Sequence, residues 1–299
     1  MKPWKVILAV LITLALLYVA RRASMRNVPE TLASTTMDQT TLTHICKHIY
    51  KGDLTPAQLD VAVTGGLLPD NSLLVLHYHL RASEAGDDRE GKWIKVDAVP
   101  VPGEGLTYRV SVPNQGRGKE FIYYWQVERE SGEVLATLPP NPEEARETPL
   151  WFRFEGARSI PLLIAHIACM FGAFLLMVMA FITACEDVTK KDVAGRMGKQ
   201  VLWATVILFL GTFPIGMWLE YQVYATYWTG IPIGRDITDS KSLIIFLYWI
   251  VLLLLLKGSA FASDPTKDVV TVKTSRVLTM AGVILSLAAY LVPHGSGSF

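Results

Sequence analysis

Histidine is the side chain whose neutral form ligates metals and whose charge changes near neutrality, and this chain of 299 residues has six. His166 lies in the charge-free run Ile160–Cys185, about six residues or ~9 Å from its start. His294 follows Val292-Pro293 at the end of another such run, Val277–Val292. An imidazole among lipid-facing carbons is costly, so His166 is expected to face neighbouring helices and to have a partner. Together the two are candidate axial ligands for a b-type haem, which would make the chain an electron-transfer protein between quinone and an exported cytochrome. The plainer alternative is favoured, because paired haem ligands want matched depths: His166 bonds a nearby carbonyl and His294 sits among headgroups. His77 and His79, two apart on an expected strand, share a face and could chelate a metal, but with no third ligand they are expected to be a solvated pair on the outward face. His44 and His48, one turn apart on an expected helix, meet the same objection. No metal site is expected.

A second concentration of chemistry lies at 221–241. Tyr221, Tyr224, Tyr227 and Trp228 suit a membrane-interface belt, and Gly230, Pro232 and Gly234 imply fixed turns. Arg235 with Asp236 and Asp239 could form an ion-pair network, bind haem propionates or meet a partner's charges, while Asp239 or Ser240 could cap the next helix. Trp228, Gly230, Pro232, Gly234, Arg235, Asp236 and Asp239 are therefore candidate partner-binding or structural residues. Glu220 is the one acid at the edge of an apolar run. No nucleotide-binding loop, nucleophile elbow, zincin helix or pair of catalytic carboxylates is present, so no catalytic residue is assigned and an enzyme is the lesser expectation.

The elements that must position these residues follow from charge distribution. Five stretches lack Asp, Glu, Lys and Arg: Val6–Ala20, Ile160–Cys185, Val201–Leu219, Leu243–Leu256 and Val277–Val292. Charged residues make up 18% of the chain, so the rest is as charged as a soluble protein. Each run is close to the length needed to cross ~30 Å of hydrocarbon. Net charge of +1 argues against a nucleic-acid binder. Lys190, Lys191, Arg196 and Lys199 precede the third run, and Lys257, Lys267, Lys273 and Arg276 precede the fifth; the positive-inside rule puts both loops in the cytoplasm. The large hydrophilic segment is then extracytoplasmic. Lys2 and Lys5 before an apolar core suggest an uncleaved signal anchor. Three cysteines make no disulfide framework.

The expected division is a transmembrane anchor over 1–23, a tether and short helices over 24–71, an exported β-sandwich over 72–157, and a four-helix transmembrane domain over 158–299. Thr55-Pro56-Ala57-Gln58 has the form of a helix start, with Gly65-Gly66 as its end. From Ser72 the period is two, through Leu74/Leu76/Tyr78, Leu106/Tyr108/Val110 and Phe121/Tyr123/Trp125/Val127. Leu106-Thr107-Tyr108-Arg109-Val110 and Phe121–Glu128, with the Ser131-Gly132 turn, make 72–155 similar to immunoglobulin-like or fibronectin-III-like modules of exported bacterial proteins. That likeness implies binding or spacing rather than catalysis.

Tyr227-Trp228-Thr229-Gly230-x-Pro232-x-Gly234-x-Asp236-x-Thr238-Asp239 and Pro293-His294-x-x-Gly297-Ser298 stand beside the span containing His166. On these residues the chain resembles, over most of its length, an uncharacterised group of bacterial inner-membrane proteins. The resemblance implies an N-terminal helix, an exported β-domain and a four-span unit in the inner membrane. It implies no particular activity. The expected role is a non-catalytic accessory or anchoring subunit, with the bilayer and other membrane or periplasmic subunits as partners.

Overall fold

The computed structural model describes residues 2–24, 30–52, 55–80, 93–140, 150–187, 192–234 and 236–292. They divide into a helical unit, which takes the N-terminal helix and most of the chain after Arg158, and a β unit formed by 27–157 with Gln222–Ala225.

In the β unit, β1 (Thr31–Met37), β2 (Thr40–Cys46), β4 (Ala57–Thr64), β8 (Thr107–Val112) and β7 (Val99–Pro100) form one antiparallel sheet in the order 1-2-4-8-7. The second sheet runs β3 (Ile49–Lys51), β11 (Leu150–Glu155), β9 (Glu120–Arg129), β5 (Ser72–Leu80) and β6 (Ile94–Asp97), and β10 (Val134–Leu138) also pairs with β9. The strands β3 and β11 are parallel; the other pairs are antiparallel. One core joins the two sheets: Leu42, Leu59, Val61 and Val110 from the first, and Leu76, Phe121, Tyr123, Trp125 and Phe152 from the second.

Two expectations fail here. The segment 24–71 is not a tether with helices, since β1 to β4 lie within it, and the expected helix after Thr55 is β4. Leu59, Val61 and Val63 are buried while Gln58, Asp60 and Ala62 are not, so a period of two overrides the capping residues that precede it. His44 and His48 accordingly share no helical face. Nor is the outer face at β5 and β9 solvated: His77 is 4% exposed and stacks on Tyr124 with ring centres 4.7 Å apart. His79 packs edge-on against Trp93 at 4.4 Å.

Six α-helices are described, α1 (Pro3–Ser24), α2 (Ile160–Ala184), α3 (Val193–Leu210), α4 (Met217–Tyr224), α5 (Ile237–Leu255) and α6 (Val272–Leu291), all in the helical unit except the last three residues of α4. A π-helical segment, Gly211–Gly216, joins α3 to α4 into one apolar stretch of 32 residues. This stretch, α1, α2, α5 and α6 are five helices long and apolar enough to cross a membrane. Pro214 explains the widened segment, because it has no N–H for the backbone ladder and its ring crowds the preceding turn.

Phe174, Met177, Met197, Val201, Leu208, Trp249 and Leu252 fill the interior of the unit. Its buried hydroxyls bond backward along their own helices, Thr205 to Val201 O at 2.8 Å, Thr279 to Ser275 O at 2.8 Å and Ser286 to Gly282 O at 2.8 Å. A polar atom satisfied in this way costs little in an apolar interior. Gly282 lies so close to α5 that a Cβ would come within 2.5 Å of the Tyr248 ring, and beside it Trp249 Nε1 donates to Ser286 Oγ at 2.9 Å. The spacing of Gly282 and Ser286 thus lets α5 and α6 touch.

Candidate functional site

The Gly- and Asp-rich loop before α5 is held by its own backbone. Asp236 caps α5, its Oδ1 accepting from Thr238 N at 2.6 Å and Asp239 N at 3.0 Å. Asp239 does not cap; it reaches back to the loop, where its Oδ2 accepts from Thr229 N at 2.8 Å. Thr229 O accepts from Asp236 N at 2.9 Å, and Gly230 O accepts from Ile233 N and Gly234 N at 3.0 and 2.9 Å. Ser240 Oγ donates to Asp236 O at 2.6 Å and accepts from Ile231 N at 3.1 Å.

Only glycine fits at position 230, since a Cβ there would be 2.5 Å from Asp239 Cβ and 2.7 Å from Ser240 N. The Ile231-Pro232 bond is cis. Trp228 Nε1 donates to Ile231 O at 3.1 Å, and its ring stacks on Phe213 of the π segment at 5.9 Å. The structure therefore gathers Trp228, Gly230, Pro232, Gly234, Asp236 and Asp239 into one cap on α5. Arg235 lies outside the described residues. The two acids named with it accept bonds from backbone N–H groups.

Sequence reasoning missed one arrangement. Thr229 Oγ1 lies 3.0 Å from Glu220 Oε1 and 3.2 Å from Asp239 Oδ2, so carboxylates from α4 and α5 converge on a single hydroxyl. One hydroxyl proton serves one carboxylate at a time. The signal in the sequence was an acid at the end of an apolar run, but nothing there indicated its partner. The arrangement ties two helix ends to the loop.

His166 sits on α2 against the π segment. Its Nδ1 is 3.0 Å from Gly211 O, and a Cβ on Gly216 would lie 3.4 Å from its Cε1. Gly211 in turn packs on Cys169 and Met170. The imidazole thus bonds a carbonyl in the turn that Pro214 disturbs, which is the plainer of its two expected roles. His294 lies outside the described residues, and no other imidazole of the helical unit is described. The imidazole is half-buried at this contact between α2 and the π segment.

A polar cluster in the β-unit core was also missed. His44 Nδ1 is 2.6 Å from Asp60 O, and its Nε2 is 2.7 Å from Tyr123 Oη. Tyr123 Oη is 3.1 Å from Cys46 Sγ. His48 meets Trp151 O through Nδ1 at 2.9 Å and Thr31 Oγ1 through Nε2 at 2.9 Å. Neutral groups satisfy the histidines: His44 donates to Asp60 O, His48 donates to Trp151 O and Thr31 donates to His48, while the single Tyr123 proton serves either His44 Nε2 or Cys46 Sγ at a time. Burial lowers the pKa of His44 and raises those of Cys46 and Tyr123. A protonated, fully buried thiol is a poor nucleophile, so the cluster is a structural pin between the sheets. Among the described residues no group of three or more His, Cys, Asp or Glu is arranged to hold a metal ion. No family model matches this chain, and no curated protein matches it.

Proposed function

We propose that this chain is a non-catalytic accessory subunit of a bacterial inner-membrane complex, anchored by its five apolar helices, with the β unit as a periplasmic docking module of immunoglobulin-like type. The resemblance to uncharacterised bacterial inner-membrane proteins belongs to the same reading.

The observation that carries the docking role is a row across the first sheet. The pairings Leu32↔Ile45, Asp60↔Arg109 and Val99↔Arg109, with the β2–β4 register ending at His44↔Val61 one residue short of Ile45 and Asp60, put these residues at about one level of the outer face. Leu32, Ile45 and Val99 are 66%, 54% and 62% exposed. Between them Arg109 grips Asp60 with two bonds of 2.6 and 2.7 Å. Single exposed aliphatics are ordinary, but three aligned around a fixed guanidinium–carboxylate pair, over a width of roughly 19 Å, offer the apolar and polar components of an interface.

Residence in the membrane is supported by the helical unit's exterior. Ile164, Trp203, Leu254 and Ile284 are 62%, 57%, 61% and 62% exposed, while its hydroxyls are turned inward. Orientation is supported by charge. Lys2, Lys5, Arg196, Lys199, Lys257, Lys267, Lys273 and Arg276 gather at one end of the helices, and the segment carrying the β unit leaves α1 and enters α2 at the other.

The test is gentle extraction of the full chain from its native membrane, beside the double variant Leu32→Glu/Ile45→Glu. The wild type is expected to retain a stoichiometric subunit, and the variant to lose it while remaining folded by circular dichroism. A wild-type chain that is monomeric and alone overturns the reading.

A further inference from the structure

At the basic end of the helical unit a single carboxylate holds two cations. Glu186 Oε1 accepts from Lys5 Nζ of α1 at 2.5 Å, and Oε2 accepts from Arg196 Nη2 of α3 at 2.7 Å. Arg276 of α6 takes the carbonyls beside it, bonding Ala184 O at 2.5 Å and Glu186 O at 2.7 Å. Next to this junction lies a pocket of about 820 Å³, within the ~300–1,000 Å³ of small-ligand sites.

Its wall is apolar, made by Trp4 and Leu8 of α1 with Phe181 and Ile182 of α2, and its polar lining comes from Lys2, Lys5, Arg196 and Glu186. Three cations against one carboxylate leave the lining with an excess of positive charge. Lys5 has three ammonium protons, of which Glu186 takes one, and Arg196 keeps guanidinium donors beyond the one it gives Glu186. The pocket thus joins donors for an anion to an oily wall, at the end of helices long enough to cross a bilayer.

We infer that this pocket holds an anionic phospholipid, its phosphate against Lys2, Lys5 and Arg196 and the start of its acyl chains along Trp4, Leu8, Phe181 and Ile182. The inference rests on the membrane anchorage proposed above. A free phosphate would use the same donors but leave the apolar wall in water, whereas a zwitterionic lipid would bring its own cation toward the lysines. The lipid also joins α1 to α2 beside the Lys5–Glu186 bond.

The experiment uses the full chain, stripped of lipid in detergent and followed by native mass spectrometry with 1-palmitoyl-2-oleoyl phosphatidylglycerol, the phosphatidylcholine of the same chains, or inorganic phosphate. One phosphatidylglycerol is expected to stay bound at least fivefold more than phosphatidylcholine. Lys2→Gln should reduce its retention roughly fivefold, as for the loss of one basic contact, with an unchanged melting temperature. Leu8→Trp, which fills the apolar wall, should reduce it without any change of charge. Equal retention of the two lipids, or no response to either variant, overturns the inference, as does complete displacement of the lipid by millimolar phosphate. A chain that is soluble without detergent refutes the anchorage instead, while one that needs detergent and holds no phosphatidylglycerol refutes the pocket alone.

Discussion

Cys46 was the residue on which chemical labelling of the β unit would most naturally be attempted, yet the fold removes it from use. It is 0% exposed, and its thiol is kept protonated by burial beside Tyr123. Maleimide should therefore modify the exposed Cys185 in the native protein and reach Cys46 only after urea unfolding, as read by intact mass. A test of sidedness needs a cysteine on an exposed position such as Ser34→Cys. His44 adds a pH dependence. Burial holds its pKa below 6.5, so the unfolded chain takes up a proton first as pH falls, and the stability of the β unit should decline progressively below about pH 6.5. Melting curves from pH 7.5 to 5 should show the decline, and His44→Gln should flatten it.

Glu186 titrates in a lower window. The hydrogen bonds from Lys5 and then Arg196 bring its pKa down from 4.5 to about 2. A depressed carboxylate stabilises the fold above its unfolded pKa and loses that effect as pH falls through the folded one, so the contribution fades from about pH 4.5 to 2. Glu186→Gln should remove on the order of 2 kcal/mol at pH 7, because it leaves two cations around a neutral amide. His166→Ala should lower the melting temperature by the loss of about 1 kcal/mol and leave absorption near 400 nm unchanged. A Soret band lost in this variant would instead restore the haem reading.

At the scale of elements, the cap on α5 separates two acids that look alike in the sequence. Asp236 satisfies two N–H groups of the first turn, whereas Asp239 faces Thr229 and Glu220. Asp236→Ala should cost about 1–2 kcal/mol by thermal unfolding in detergent, and Asp236→Ser should recover most of it. The same comparison explains the error at β4. Thr55-Pro56 is a sound helix start, but Leu59, Val61 and Val63 can be buried together only in a strand, and β2 and β8 supply the pairing on either side. The break at Gly211, Pro214 and Gly216 was visible in the sequence, since a proline between glycines disturbs a helix whatever surrounds it.

At the scale of the whole molecule, five apolar helices and two β-sheets share the chain. The helix positions were readable because length and absence of charge are local properties of an apolar run. The ends were less so: α6 begins at Val272 rather than near Val277, since the Arg276 side chain bonds backbone carbonyls at the end of α2 and the helix continues past it. Likewise α5 begins at Ile237, six residues ahead of the apolar run, where Asp236 supplies the cap.

What the residue order determined by itself is the alternation of period and charge: apolar helices at both ends of the chain, strands from Ser72 onward, and turns at the Gly-rich loop. Each is set by neighbours a few positions away. Only the tertiary structure decided that Glu220 and Asp239 meet at Thr229, that His44, Cys46 and Tyr123 lock two sheets together, and that Lys5, Glu186 and Arg196 close on one another. Those groups are brought together by packing between distant segments, and a polar side chain has no periodicity that announces which distant atom will satisfy it.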